Sequence, residues 1–310
     1  MLRLGDYDLV EPTGSGGVGV VWRAFHVPTG RQVAVKVLGE HTARDDLFLR
    51  SFRNEVRAAA RLDHPHIIRI HDHGRIPVAL ARQEPRLPEG APYSVMEWVG
   101  GGPLRADEPS SWEEVADLAM ALLSALAHAH ARGVVHRDLK PGNVLLGHPD
   151  GRRPGPRLTD FGGSLRRTQH PSTAPNLGTP AYLPPERLRG AWWEEGPASD
   201  LYALGCLLWK VLTGHLPHGG QTAEEIIEAR LTGRFQPLAP RVPVPDGVES
   251  WLHELCAASV RRRPTCAADA MRGLIRICGG RPPARGRPLT ELEWLVVEAE
   301  SRAPARSRGP

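Results

Sequence analysis

The sequence predicts an α+β fold in which a small strand-rich region precedes a larger helical region. Short runs of β-branched residues separated by glycine and proline fill much of the N-terminal third. From Ser110 onward, apolar residues recur instead at the spacing of helices. The chain has 310 residues, 41% hydrophobic and 24% charged, which is long enough to bury a proper core. The change between the two regions is predicted near 97–102.

The strand-rich region is predicted to begin with short strands within 7–37, from the runs at 7–10, 14–22 and 32–37, with a glycine turn between strands. A helix is predicted over 45–62 because apolar residues form one stripe there: Leu49, Phe52, Val56, Ala59 and Ala60. The region therefore combines a small sheet with one amphipathic helix.

Two further strands are predicted over 67–71 and 93–98. The segment between them, 75–92, is rich in proline and charge, so we expect a long hairpin loop there. These elements complete the strand-rich region.

The helical region is predicted to begin with a capping box, in which Ser111 and Glu114 precede a run of apolar residues at helical spacing. Ser199 is predicted to cap the next long helix and Gly214 to end it. This helix is predicted over 201–212, and further helices are predicted over 223–231, 248–257 and 267–277. Short strands are predicted over 134–136, 144–146 and 157–159.

Charge and hydropathy exclude several classes of function. The formal charge of +4 is mild, and no basic stripe interleaved with aromatics is present, so we predict no nucleic-acid partner. No segment reaches about 18 uninterrupted apolar residues, which predicts no membrane span. The N-terminal residues lack the apolar stretch of a signal peptide, so a cytoplasmic location is expected.

Cysteine and histidine spacing gives little support for a structural metal site. The four cysteines show no C-x-x-C spacing and are predicted to be small buried hydrophobes: Cys206, Cys256, Cys266 and Cys278. Histidines occur in pairs two positions apart, such as His64 and His66, without a third ligand at fixed spacing.

Two neighbouring motifs carry the clearest chemical signal. Positions 136–143 read HRDLKPGN, which places a carboxylate, an ammonium and a carboxamide within six residues at Asp138, Lys140 and Asn143. A second carboxylate, Asp160, follows in the tripeptide DFG. Phosphoryl transfer needs a base, a cation for the phosphate and oxygen ligands for magnesium, and these residues supply all three.

The N-terminal glycines and a lone lysine fit the same chemistry. The glycines at 14, 16 and 19 also match the spelling of dinucleotide-binding turns, but those open a helix, whereas strand residues follow here. A plain hairpin remains the alternative. Lys36 lies within an apolar strand and requires a partner, which Glu55 on the predicted helix could supply. A surface lysine at a strand end is the other reading.

In the order and spacing of these motifs, the chain resembles the eukaryotic-like bacterial serine/threonine protein kinases. The resemblance implies a two-lobed kinase domain over 7–280, with a small antiparallel-sheet lobe over 7–98 and a larger helical lobe over 103–280. It leaves 281–310 as an Arg/Pro-rich tail with a candidate helix at 289–300.

The resemblance implies ATP and Mg²⁺ as cofactors. Asp138 and Lys140 are the expected catalytic residues, and Asn143 and Asp160 the expected metal ligands. The expected ATP-binding residues are Gly14, Ser15, Gly16, Gly17, Val18, Gly19, Val21, Ala34, Lys36, Glu55, Met96, Glu97 and Val99. The expected partners are proteins with serine or threonine acceptors, together with a transient homodimer for trans-autophosphorylation. A catalytically silent pseudokinase is the alternative.

The resemblance also implies three supporting interactions. Asp200 would anchor the catalytic-loop backbone, although it could equally be a helix N-terminal residue satisfied by the dipole. Glu186 would pair with Arg263. Arg137 would gather a phosphate placed on the activation segment 163–177, at Thr168, Ser172 or Thr173, although a segment ordered without modification remains open.

Overall fold

The computed structural model describes residues 2–16, 19–40, 46–105, 109–147, 155–161 and 181–280. The described chain divides into two compact units. The first contains the residues up to Asp63 and those of Ile67–Gly100, and the second contains His64–His66 and the described residues from Gly101 onward. The predicted α+β class is confirmed, because the first unit is built on an antiparallel sheet and the second is mainly helical.

The sheet of the first unit has six described strands in the order β1-β2-β3-β4-β6-β5. They are β1 (Leu2–Leu4), β2 (Tyr7–Gly16), β3 (Gly19–His26), β4 (Arg31–Leu38), β5 (Ile70–Arg75) and β6 (Pro92–Glu97). The edge strand β1 was not predicted, because three residues are too few to show a period. The strand predicted over 67–71 begins later, since Ile67 and Ile68 are buried without belonging to a strand.

The segment 75–92 is more ordered than the predicted hairpin loop. It contains a one-turn helix, α2 (Val78–Ala81), and the backbone N–H of Ile76 donates to the carbonyl of Ala91 at 2.9 Å. Its apolar side chains join the core beneath the sheet: Ile76, Leu80, Leu87 and Ala91. The predicted hairpin is confirmed, because the segment joins the antiparallel strands β5 and β6. The helix and the buried side chains within it were missed, because these apolar residues follow no regular period.

The predicted amphipathic helix of the first unit is α1 (Asp46–Ala59). Phe52 and Val56 on its apolar stripe pack with Leu38 at the end of β4. The amphipathic helix is therefore confirmed, and its apolar stripe packs against the end of β4.

The second unit is organised around α3 (Trp112–Ala131), most of whose side chains are buried. The predicted cap is present in altered form. The Oγ of Ser111 accepts from the backbone N–H of Glu114 at 3.3 Å, but the Glu114 carboxylate accepts from Ser110 at 2.9 Å. The other α-helices among the described residues are α4 (Pro185–Leu188), α5 (Pro197–Thr213), α6 (Ala223–Thr232), α7 (Val248–Leu255) and α8 (Ala267–Ile277).

The start of α5 corrects the prediction that Ser199 is its N-cap. Pro197 occupies the first turn, where a missing N–H is harmless, so the helix begins earlier. Ser199 lies inside that turn, and its Oγ donates to Glu186 at 2.7 Å. The predicted end is confirmed, since Gly214 has the left-handed φ of 84° that favours glycine.

A two-stranded antiparallel hairpin, β7 (Val144–Gly147) and β8 (Gly155–Leu158), lies in the second unit. The strand predicted over 134–136 is wrong, because that segment belongs to none of the described strands. Cys206, Cys256 and Cys266 are buried as predicted, whereas Cys278 is partly exposed. Among the helices described, none has the length and hydropathy needed to cross a bilayer.

Candidate active site

The segment 136–143 folds so that three polar side chains meet at one carboxylate. A single 3-10 turn, Pro141–Asn143, brings the last residue of the motif back towards Asp138. The amide nitrogen Nδ2 of Asn143 then donates to the backbone carbonyl of Asp138 at 2.7 Å and to its Oδ2 at 3.1 Å. Lys140 Nζ donates to the same Oδ2 at 2.7 Å. The loop thus orients the Asp138 carboxylate from two sides.

Exposure distinguishes the members of this group. Asn143 is buried, but the side chains of Asp138 and Lys140 are 31% and 39% exposed. A carboxylate that is held by neighbours and still open to solvent can accept a proton from an incoming molecule.

His136 is buried and links the loop to the segment that carries Asp160. Its Nδ1 accepts from the backbone N–H of Asp138 at 3.3 Å, which leaves Nε2–H to donate to the carbonyl of Thr159 at 3.0 Å. Its ring contacts Phe161, with centroids 4.6 Å apart. Burial lowers the pKa of His136, so the imidazole is neutral and has the one tautomer that these bonds require.

Asp160 and Asn143 are on adjacent segments, because the backbone N–H of Thr159 donates to the carbonyl of Asn143 at 3.0 Å. Asp160 has a φ of 63°, which is strained for a residue other than glycine. The Oγ1 of Thr159 donates to its carboxylate at 3.4 Å. The chain therefore holds this carboxylate in an unusual backbone conformation.

The donor set of Asn143 and Asp160 fits magnesium. Since the amide nitrogen of Asn143 is engaged with Asp138, the amide presents its oxygen as the remaining ligand atom. Mg²⁺ prefers one or two protein oxygen ligands and keeps several waters or phosphate oxygens. One amide oxygen and one carboxylate match that preference.

Asp200, at the start of α5, anchors the backbone of the loop 136–143 as predicted. Its Oδ2 accepts from the N–H of His136 and from Nε2 of His130, both at 2.8 Å, and its Oδ1 accepts from the N–H of Arg137 at 2.7 Å. Burial alone would raise the pKa of Asp200, but the hydrogen bonds from His130 and the loop lower it overall. The carboxylate does more than face the helix dipole, because it fixes two consecutive backbone amides.

His130 is a supporting residue that the sequence did not reveal. It lies on α3 and donates to Asp200 from a position 70 residues away, and both side chains are almost fully buried. An alternation of alanine and histidine at the end of a helix carries no signal for such a contact.

In the first unit, the glycine turn lies between antiparallel strands rather than at a helix. Gly16 pairs with Gly19 and Gly14 with Val21, which excludes the dinucleotide type of turn. A Cβ on Gly19 would overlap the carbonyl oxygen of Val37, so only glycine fits there. Gly17 and Val18 lie outside the described residues.

Lys36 lies in the second half of β4, opposite Val21 of β3 and Ser94 of β6. It is half-buried among apolar neighbours. The side chain of Glu55 lies outside the described residues, and the predicted pair of Lys36 with Glu55 stays a prediction.

Three other predicted nucleotide-binding residues lie on β6 or just after it. Met96 is buried and pairs with Ala34, while the backbone N–H of Glu97 donates to the carbonyl of Arg69 at 2.9 Å. Val99 follows the strand and is partly exposed. The predicted activation segment 163–177 and the predicted tail helix at 289–300 lie outside the described residues.

Comparison with known proteins agrees with this arrangement. The family model described as the protein kinase domain matches residues 7–272. The chain is 31% identical to the probable serine/threonine-protein kinase PknB of Bifidobacterium longum, over 96% of this chain and 43% of that protein. It is 34% identical to PrkC of Bacillus subtilis, over 86% and 39%, and 36% identical to PknL of Mycobacterium tuberculosis, over 81% and 59%.

The chain thus spans 39% to 59% of the length of these three relatives. Its matched region contains the glycine turn, the loop 136–143 and Asp160. The chain belongs to the protein kinase family and is similar to that family's bacterial serine/threonine members.

Proposed function

We infer that this chain transfers the γ-phosphate of ATP to serine and threonine hydroxyls of proteins and that it requires Mg²⁺. The observation that carries this proposal is the convergence of Lys140 and Asn143 on the partly exposed carboxylate of Asp138. In phosphoryl transfer the protein has little covalent chemistry to do, so catalysis depends on positioning groups such as this base.

Asp138 is the residue proposed to accept the substrate proton. Its Oδ2 receives bonds from Lys140 and Asn143, so Oδ1 is the oxygen that a hydroxyl would meet. As the proton moves to the carboxylate, the hydroxyl oxygen bonds to the γ-phosphorus and the bond from that phosphorus to the departing ADP oxygen breaks. Lys140 places a positive charge beside the transferred group.

Asn143 and Asp160 are proposed to hold the metal through the amide oxygen and the carboxylate. When bound, Mg²⁺ neutralises negative charge on the phosphates. The bond from the Thr159 N–H to the Asn143 carbonyl supports this role, because it joins the two segments that carry these ligands.

The first unit is proposed to bind ATP. The glycine turn would present backbone amides to the phosphates, and Lys36, paired with Glu55, would contact the α- and β-phosphates. Adenine would contact the side chains of Val21, Ala34 and Met96. It would also contact the backbone of Glu97, at the end of β6, and of Val99. Because the N–H of Glu97 already donates to Arg69, adenine would meet Glu97 through its carbonyl oxygen.

The pseudokinase alternative is disfavoured on chemical grounds. A silent kinase lacks the phosphate-binding lysine, the base or the metal carboxylate, whereas Lys36, Asp138 and Asp160 are all present. The relatives described above are named as serine/threonine kinases.

The chain is proposed to accept proteins as substrates, including a second copy of itself in a transient homodimer. Phosphorylation of one copy by another makes the initial rate of self-labelling rise with the square of enzyme concentration. Labelling in proportion to concentration would contradict trans-phosphorylation and favour an intramolecular reaction.

The proposed activity is tested by incubating the purified chain with γ-labelled ATP, Mg²⁺ and a general protein acceptor such as casein. We expect labelled phosphoserine and phosphothreonine after acid hydrolysis, and no label when EDTA replaces Mg²⁺. Absence of label with Mg²⁺, or label on tyrosine alone, would overturn the proposal.

A further inference from the structure

Arg137, directly before the proposed base, has a backbone conformation that must be held in place. Its φ is 67°, in the left-handed region that is strained for residues other than glycine. The orientation of Asp138 depends on this peptide, because a change at Arg137 would swing the next side chain. The surroundings of Arg137 therefore bear directly on catalysis.

The backbone N–H, the backbone carbonyl and the guanidinium of Arg137 each have a partner in the second unit. Its backbone N–H donates to Asp200, as described above, and its carbonyl accepts from Nη1 of Arg187 at 3.0 Å. Its guanidinium Nε lies 3.7 Å from Oε2 of Glu195. Both ends of the strained residue and its side chain are thus engaged.

Glu195 connects these contacts. Its other oxygen, Oε1, lies 2.6 Å from Nε of Arg187, so one carboxylate bridges the two arginines. The side chains of Glu195 and Arg187 are only 9% and 4% exposed, whereas Arg137 is 37% exposed. A shielded carboxylate is weakly screened by salt, and its attraction for both guanidinium groups is correspondingly stronger.

The position of Glu195 is set by its own backbone. It follows the single 3-10 turn Trp192–Glu194, and its N–H donates to the carbonyl of Trp192 at 3.2 Å. The residue before that 3-10 turn is hydrogen-bonded to α4, because the N–H of Ala191 donates to the carbonyl of Glu186 at 2.8 Å. The carboxylate is pre-positioned by the fold and needs no ligand to place it.

We propose that Glu195 is a built-in anion for Arg137 and that, with Arg187, it positions the catalytic loop for phosphate transfer. The proposal rests on the proposed kinase function. The sequence left two alternatives open, a phosphate gathered by Arg137 or a loop ordered without modification, and the bridging carboxylate favours the second. Turnover then requires no phosphate on 163–177, although the chain can still phosphorylate itself.

The adjacent residue provides a matched control. Glu194 also pairs with an arginine, Arg189 at 3.7 Å, but both of these side chains are exposed and the pair includes no residue of the loop. Glu195→Gln should lower kcat about tenfold or more, because a small displacement of a catalytic group is costly. The KM for ATP should change less than about twofold, since no nucleotide contact is removed. Glu194→Gln should leave both constants near the wild-type values.

Three outcomes decide the role of the anion. Glu195→Asp keeps the charge and should retain more activity than Glu195→Gln, so equal losses in the two variants would overturn the proposal. Equal kcat in the glutamine variants of Glu195 and Glu194 would also overturn it. Wild-type enzyme treated with phosphatase, and shown by intact mass to carry no phosphate, should keep its initial rate within about twofold. A rate that depends on phosphorylation by tenfold or more would contradict it.

A measurement without turnover separates this proposal from the proposed function. Hydrogen exchange of the backbone amides over 136–143 should be faster in Glu195→Gln than in Glu194→Gln, at a temperature where both are folded. Arg187→Lys, which loses the bond to the Arg137 carbonyl, should show the same increase if Glu195→Gln does not fold. Unchanged exchange overturns the positioning role even in an active kinase. A wild-type chain without transferase activity overturns the kinase proposal alone.

Discussion

Arg263 and Glu186 form a bidentate ion pair in which both side chains are fully buried. Nη1 of Arg263 lies 2.9 Å from Oε1 of Glu186, and Nη2 lies 2.8 Å from Oε2. Ser199 adds a third hydrogen bond to the carboxylate, and the guanidinium lies over the ring of Tyr202 at 4.8 Å. This pair, predicted from the family resemblance, joins α4 to the segment before α8 and is confirmed.

Removing one partner of this pair should destabilise the protein strongly. Glu186→Ala would leave the Arg263 charge buried without its carboxylate, which costs about 3–5 kcal/mol. The melting temperature should fall on the order of 10 °C. The control is Arg272→Ala, which removes a partly exposed pair with Asp269 and should cost less than about 1 kcal/mol. Equal melting curves for the two variants would show that the buried pair is energetically unimportant.

Asp200→Asn should destabilise the protein in a pH-dependent way. An amide has one oxygen, whereas the carboxylate accepts from His130, His136 and Arg137, so we expect a cost of about 3 kcal/mol at pH 7. Because the pKa of Asp200 is lowered in the folded protein, its stabilisation is present above the ordinary value of 3.8 and is lost as pH falls below it.

Urea unfolding of wild type and Asp200→Asn between pH 7 and pH 3 measures this difference. The gap in unfolding free energy should be constant above about pH 5 and narrow below about pH 4. A gap that widens on acidification would contradict the charged role of Asp200.

His218 should make the protein less stable in mild acid. It stacks on Phe235 and Tyr202, and burial lowers its pKa to about 4 from an ordinary 6.5. The unfolded chain therefore binds more protons between these values, and stability falls by about 3 kcal/mol as pH drops from 6.5 to 4. His218→Phe should flatten this slope in urea titrations. If His218→Phe leaves the slope of unfolding free energy against pH unchanged, His218 takes up its proton equally well in the folded and unfolded chains, which contradicts the prediction.

The metal and phosphate roles separate in two variants. Asp160→Ala should abolish Mg²⁺-dependent transfer, because it removes the proposed carboxylate ligand.

Lys36→Met should raise the KM for ATP while the chain remains folded, since the lysine is only half-buried. The two variants are tested by measuring initial rates of phosphate transfer across ATP and Mg²⁺ concentrations. Full Mg²⁺-dependent activity in the Asp160 variant would refute the metal role.

Local signals explain which parts of the fold were predictable. The helix predicted over 267–277 matches α8, and β3 and β4 follow from β-branched runs next to glycines. The cap of α5 was predicted wrongly, because Ser199 is a good cap by type but Pro197 begins the helix earlier. The apolar side chains of 75–92 that join the core were missed because they follow no regular period.

Site residues in the loop were predictable because they lie close together in the sequence. Asp138, Lys140 and Asn143 fall within one short motif, and they do converge. Contacts between distant residues were predictable only where the family resemblance supplied them. No period or spacing connects Glu195 with Arg137, 58 positions earlier, so only the folded chain reveals that contact.

Phosphate transfer by Asp138→Asn tests the central claim most directly. The substitution keeps the size of the side chain and removes its capacity to take a proton, so it should lower kcat at least about 10²-fold while ATP affinity stays nearly intact. Asp246→Asn, at an exposed position, is the matched control and should behave as wild type. The measurement is the initial rate of γ-phosphate transfer to protein serine and threonine for the three proteins side by side. A loss confined to Asp138→Asn is the predicted result, and turnover near that of wild type in this variant would contradict the account.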